Sequence, residues 1–143
     1  MSKRRAWCRE AWCSLRVGVR RVDVWLSADD IDSFINAHGE WLDGYFTPHK
    51  AMPWEIVLYA GQPREELVNS LLHEHIHAAF EARRYLEELS APFEERAVGI
   101  ITPALLSGLR AFGWTPPPLP PGWRALAAHA RHVRRGKLSG AII

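Results

Sequence analysis

The run His73-Glu74-His75-Ile76-His77 constrains this chain more than any other feature, because His73, Glu74 and His77 spell H-E-x-x-H inside a helical stretch. Residues four apart on a helix lie one above the other, so two imidazoles at that spacing can hold a single metal ion. The Glu between them falls beside the pair, placed to take a proton from a metal-bound water. The pattern predicts a zinc hydrolase centre, of the kind most often used on peptide bonds.

So short a motif can arise by accident. With 7 His and 11 Glu among 143 residues, the odds are on the order of a few per cent. Helix phase supplies a test. Stepping about 100° per residue from His73, His77 falls near 40° and Glu74 near 100°, in one sector. Leu67, Val68, Leu71, Leu72, Ala78 and Ala79 fall between about 120° and 260° and form the expected core face. A solvated helix edge would show the same separation and stays open as the plain alternative. His75 lies near 200° on this count, inside the apolar face. It is expected to be a core histidine bonded to backbone rather than a ligand.

Catalytic zinc takes three protein ligands and keeps one position for water. No His occurs between Ala78 and Ala128, which argues against a third His shortly after the motif. Ser90-Ala91-Pro92-Phe93-Glu94-Glu95-Arg96-Ala97-Val98 reads as the start of a second helix, with Ser90 as its cap and Pro92 near its start. Counting from Glu94, the residues Ala97, Val98, Ile101, Leu105, Leu109 and Phe112 fall within about 60° of it. Glu94 therefore sits in an apolar stripe, where a carboxylate is costly unless paired or metal-bound. It is the first choice for the third ligand. Glu95, at the rim of the stripe, is the alternative, and both acids also suit the first turn of a helix with no metal at all.

Leu71-Leu72-His73-Glu74-His75-Ile76-His77-Ala78, followed by Glu94-Glu95-Arg96-Ala97-Val98, resembles the small zincin-fold metallopeptidases of the gluzincin type. The closest likeness is to compact members common in bacterial and phage genomes, and more loosely to the ImmA/IrrE group. The resemblance covers roughly 44–112. It implies that His73, His77 and Glu94 bind zinc and that Glu74 is the general base. Two departures stand out. Only 16 residues separate His77 from Glu94, which is short for the larger gluzincins, and Val98 stands where the ImmA-like pattern carries Asn.

Upstream, 16–26 alternates as a strand, 27–36 reads as a capped short helix or turn, 44–47 as a brief strand and 55–59 as an interior strand. Gly61-Gln62-Pro63 breaks the chain, and the motif helix is expected over 64–89. The expected fold is α+β and zincin-like, a small mixed or antiparallel sheet packed on the H-E-x-x-H helix, with a second ligand-bearing helix after it. In that arrangement the 44–47 strand would be the edge that pairs with an extended substrate. Tyr45, His49 and Tyr85 are the residues that could steady an oxyanion.

At 143 residues and 48% apolar, the chain is expected to form one domain over 1–113, then a Pro-rich spacer over 114–123 and a basic tail over 124–143. The spacer should run as polyproline II and pack Trp114 and Trp123 on the body. In the tail, His129 and His132 stand at chelating spacing, though a solvated basic face is the plainer reading. Cys8 and Cys13, the only cysteines, read as reduced thiols. No apolar run has the length of a membrane span and no signal core follows the basic start, so a cytoplasmic site is expected. The charge falls in blocks of +6 over 1–21, −11 over 22–95 and +7 over 96–143, which sum to the net +2. An acidic middle suits a divalent cation and a basic peptide or protein substrate. Basic ends could meet nucleic acid, but no nucleic-acid motif supports that. The rival to a peptidase is a non-catalytic zincin-like binding module that holds a protein or nucleic acid through those ends.

Overall fold

A computed structural model describes residues 8–28, 34–36, 38–82 and 91–142. Val22, Val24 and Leu26 are buried while the residues between them are only partly covered, the alternation that a strand with one apolar face requires. They belong to β2 (Arg20–Ser27), which pairs in parallel with β4 (Trp54–Tyr59). The register sets Val22 beside Trp54, Val24 beside Ile56 and Leu26 beside Leu58, so these six buried side chains share a face. Val57 and Tyr59 point the other way and are buried too, so β4 is covered on both sides. Outside this pair lie β1 (Arg9–Val17), antiparallel to β2, and β3 (Gly44–Thr47), antiparallel to β4. The order β1-β2-β4-β3 makes a four-stranded mixed sheet with β3 at an edge. The protein is therefore α+β, with three helices beside this sheet among the described residues.

One expectation is corrected here. The stretch 16–26 is not a single strand: it folds back at Gly18-Val19, where Val17 pairs with Arg20. Gly18 has φ of 62°, the left-handed conformation that a two-residue hairpin turn demands and that glycine adopts freely. The short 44–47 strand and the interior strand ending at Tyr59 are found as expected. Of the 27–36 expectation, 29–33 lie outside the described residues, as do 83–89 of the motif helix.

The motif helix is α1 (Arg64–Ala82), and α2 (Ala91–Ala111) packs against it. The pair is antiparallel: Glu94 and Glu95 of the first turn of α2 meet the histidines, while Arg110 of its last turn donates to Glu65 at 2.6 Å. The buried row of α2 is Val98 and Thr102, not the wider stripe expected from phase. Ile101, Leu105 and Phe112 are exposed, because among the described elements α2 packs mainly on α1 and the remaining arc has no cover. Gly113, at φ of 83°, ends α2, with Gly113 N–H donating to Arg110 O and Trp114 N–H to Leu109 O, both at 3.0 Å.

The Pro-rich segment then straps across the sheet. Trp12 Nε1 donates to Pro117 O at 3.2 Å, Trp123 Nε1 donates to Ala60 O at 3.1 Å, and Trp114 and Trp123 pack on the core as expected. α3 (Trp123–Ile142) was expected as a solvated basic tail, yet it buries Leu126, Ala127 and Ala130 against the body. His129 meets Cys8 Sγ at 4.0 Å, which separates it from His132, an exposed residue. Cys8 and Cys13 are not joined in a disulfide, and burial pushes Cys13 up to about 11. No described helix is long and apolar enough to cross a membrane.

A buried polar knot sets the distance between α1 and the edge strand. Gln62 Nε2 donates to Asp43 O at 2.7 Å and to Tyr59 O at 3.0 Å, and its Oε1 accepts from Ser70 Oγ at 2.8 Å. Both side chains are nearly sealed from water, where a satisfied amide stabilises and an unsatisfied one would cost about 1–3 kcal/mol. The knot ties the residue before β3 to the first turns of α1, and a cleft opens between them.

Candidate metal centre

The four-residue spacing on α1 stacks His73 and His77 with ring centroids 5.0 Å apart at 63°. Glu74 stands beside them, and one donor atom each from His73, Glu74 and His77 lies within 4.8 Å of the others. This group could hold a metal ion. The three side chains line one cavity of about 750 Å³, walled by β3 and the preceding turn on one side and by α2 on the other. The histidine side chains are only 27% and 14% exposed, less than a fully solvated helix edge would leave them.

Glu74 departs from its expected setting. Phase puts it on a polar face apart from the core, but it lies 9% exposed in the buried row with Leu67, Leu71 and Ala78. Burial raises its pKa to about 7, the neighbouring His77 pulls it back and Glu95 adds to the rise. Such a carboxyl changes charge near neutral pH, which suits proton transfer. Burial also holds His73 below the ordinary histidine range, against the opposing pull of Glu95, so its ring keeps a free lone pair at neutral pH. His75 is half-buried, with Nε2 3.4 Å from Arg16 O, on the sheet side and away from the cavity.

Both acids of α2 reach the histidines, but from different sides. Glu94 Oε2 lies 2.7 Å from His77 Nδ1, and the Glu94 side chain is 13% exposed. Glu95 Oε1 lies 3.2 Å from His73 Nε2, and its Oε2 lies 2.9 Å from His77 Nε2, with the side chain 63% exposed. The burial order matches expectation: Glu94 is inward and Glu95 is at the rim. The ring nitrogens that share a carboxylate are nonetheless the two Nε2 atoms, and that carboxylate belongs to Glu95. Donor atoms around tetrahedral zinc stand about 3.3–3.5 Å apart, from bond lengths of about 2.0–2.2 Å. The Glu95 distances, 3.2 and 2.9 Å, are close to that edge. Glu94 on Nδ1 has the position of a carboxylate that orients a ligating imidazole.

Tyr45 lines the cavity, whereas His49 does not. Its Nε2 is 3.8 Å from Glu55 Oε1 and its carbonyl accepts from Trp54 Nε1, so it is held at the far end of β4. Tyr85 lies outside the described residues. Sequence reasoning missed Asn36, Glu40, Trp41 and Asp43, which form the opposite rim. Asn36 Oδ1 accepts from His38 N–H at 2.9 Å and Glu40 N–H at 3.0 Å, and Gly39 has φ of 78°. An Asn three residues before a Gly is a turn signal that could have found this rim.

The chain matches no protein-family model, no curated protein and no solved structure. The functional reading therefore rests on the geometry of the site.

Proposed function

We propose that the protein is a zinc-dependent peptidase with a zincin-like arrangement of sheet, motif helix and ligand helix. His73, His77 and Glu95 hold the ion, Glu94 orients His77, and Glu74 is the general base. The observation that carries this reading is the convergence of both Nε2 atoms on one carboxylate, beside the buried carboxyl of Glu74. Placing Glu95 in the third position revises the preference that Glu94's apolar stripe suggests, because ring geometry, not burial, selects the donor.

Zinc held by these residues would supply a Lewis acid, of the kind that lowers the pKa of water to about 7. Glu74 takes a proton from water in the cleft and delivers it to the leaving amine nitrogen. Its burial keeps competing solvent away and leaves the carboxylate without a hydrogen-bond donor among the described residues, free to accept that proton. The edge of β3 offers backbone groups to an extended peptide, which would lie across the histidines. The likeness to gluzincins supports the same roles for His73, Glu74 and His77.

Elemental analysis of protein purified without chelator tests the metal half. One zinc per chain is expected, lost in His73→Ala. Metal-free parent protein that also fails to take up added zinc would refute the reading.

A further inference from the structure

We propose that the cleft selects peptides carrying a Lys or Arg side chain next to the scissile bond, with Glu40 and Asp43 as the residues that receive it. The inference rests on the peptidase reading and names its substrate class.

Among the described residues, the charged ones lining the cavity are Glu40, Asp43, Glu74, Glu81, Glu94 and Glu95, with no Lys or Arg. The described lining is therefore acidic. Glu74, Glu94 and Glu95 belong to the histidine cluster. Glu40 and Asp43 stand on the opposite rim, Asp43 near enough for its charge to act on His73, and neither carboxylate is hydrogen-bonded or ion-paired to a described residue.

Their backbone is held firmly. The Asn36 side chain closes the turn before Glu40, Ile35 bridges to Trp41, and Leu42 N–H donates to Phe34 O at 2.6 Å. Asp43 O accepts from both Tyr59 N–H at 2.9 Å and the buried Gln62 amide at 2.7 Å. A rigid turn that presents two unpaired acids to a cleft is prepared for a cation.

One further observation points to a ligand in this cavity. Glu74, nine-tenths buried and without a hydrogen-bond donor among the described residues, lines the same cavity. Trp41 lies between Glu40 and Asp43 in the chain and lines the cavity, and its ring already carries a guanidinium on one face, that of Arg134. Arg134 makes no described hydrogen bond or ion pair with either acid. Arg134 stacks 4.2 Å from the Trp41 centroid and 3.7 Å from that of Tyr59, and its Nε and Nη2 donate to nothing.

The test uses the full chain, zinc-loaded, as the Glu74→Gln variant so that peptides bind without turnover. Fluorescence anisotropy is read with a labelled, end-blocked alanine octapeptide bearing one central Arg, and with its Gln and Glu analogues. The Arg peptide should bind about tenfold more tightly than the Gln peptide, the gain of one charge-assisted contact. Adding Glu40→Gln and Asp43→Asn should reduce that difference to within about twofold, with the Gln peptide unaffected. Should the double variant fold poorly, Glu40→Gln alone, at an exposed turn, is expected to lose part of the preference. Equal affinity for Arg and Gln peptides, or a preference that survives the substitutions, overturns the proposal. Parent protein incubated with the same three peptides separates the two readings. Cleavage without charge preference sinks this inference and keeps the peptidase. Charge-selective binding with no cleavage sinks the peptidase and keeps a cation-selective cleft.

Discussion

Glu94 places a carboxylate oxygen 2.7 Å from Nδ1 of His77, leaving Nε2 of the same ring to face Glu95 at 2.9 Å. One imidazole is thus gripped by adjacent residues of one helix turn, and the proposed reading gives the two acids different work. In metal sites, losing a ligand removes a bond to the ion, while losing an orienting carboxylate costs about 10–100-fold in affinity.

Glu95→Ala should therefore weaken zinc binding by more than Glu94→Gln does, and Glu94→Gln should fall within about 10–100-fold of the parent. Competition against a chromophoric chelator measures both. A Glu94 variant that loses zinc while Glu95→Ala retains it would return the third position to Glu94.

Burial lifts Glu74 from 4.5 to about 7, so it binds its proton more tightly in the folded chain than in the unfolded one. Stability from this group is fully present below about pH 4.5 and is lost as pH rises through about 7, a cost on the order of 3 kcal/mol in metal-free protein. Glu74→Gln carries no such charge. In chelator, its stability gain over the parent should be small near pH 5 and approach that value near pH 8.5, as read by urea unfolding. A gain independent of pH would show that Glu74 is not buried as a charge.

Gln62→Ala removes both amide donors and strands Ser70 Oγ without its acceptor. A loss of about 1–3 kcal/mol is expected, with a lower Tm. Because the knot fixes Asp43 against α1, peptide affinity should fall as well. A variant as stable as the parent would show that the cleft wall is held by other contacts.

What the sequence made legible was the local part of the site. The spacing of His73 and His77 depends only on the helical repeat, and the stacked rings follow from it. The inward set of Glu94 was also readable, from the neighbouring Val98. Which nitrogen of His77 meets which carboxylate was not, because that depends on how α2 leans across α1. The wider stripe misled for a related reason: Ile101 and Leu105 have core chemistry but no covering element among the described residues. Gly18 hid a hairpin inside an alternating run, since alternation continues on both sides of a two-residue turn. The Asn36–Asp43 rim comes to the histidines only through β3's place at the edge of the sheet, a long-range pairing that local pattern does not carry.

The most direct test of the central claim compares peptide hydrolysis by zinc-loaded parent and zinc-loaded Glu74→Gln, with zinc content measured on the same samples. The amide is nearly isosteric with the carboxylate but cannot accept a proton, so the variant should keep its zinc and its fold. Turnover of an Arg-containing peptide should fall by about 10²–10⁴, the usual contribution of a general base. Hydrolysis by the variant at the parent rate, with zinc equally bound in both, would contradict the account.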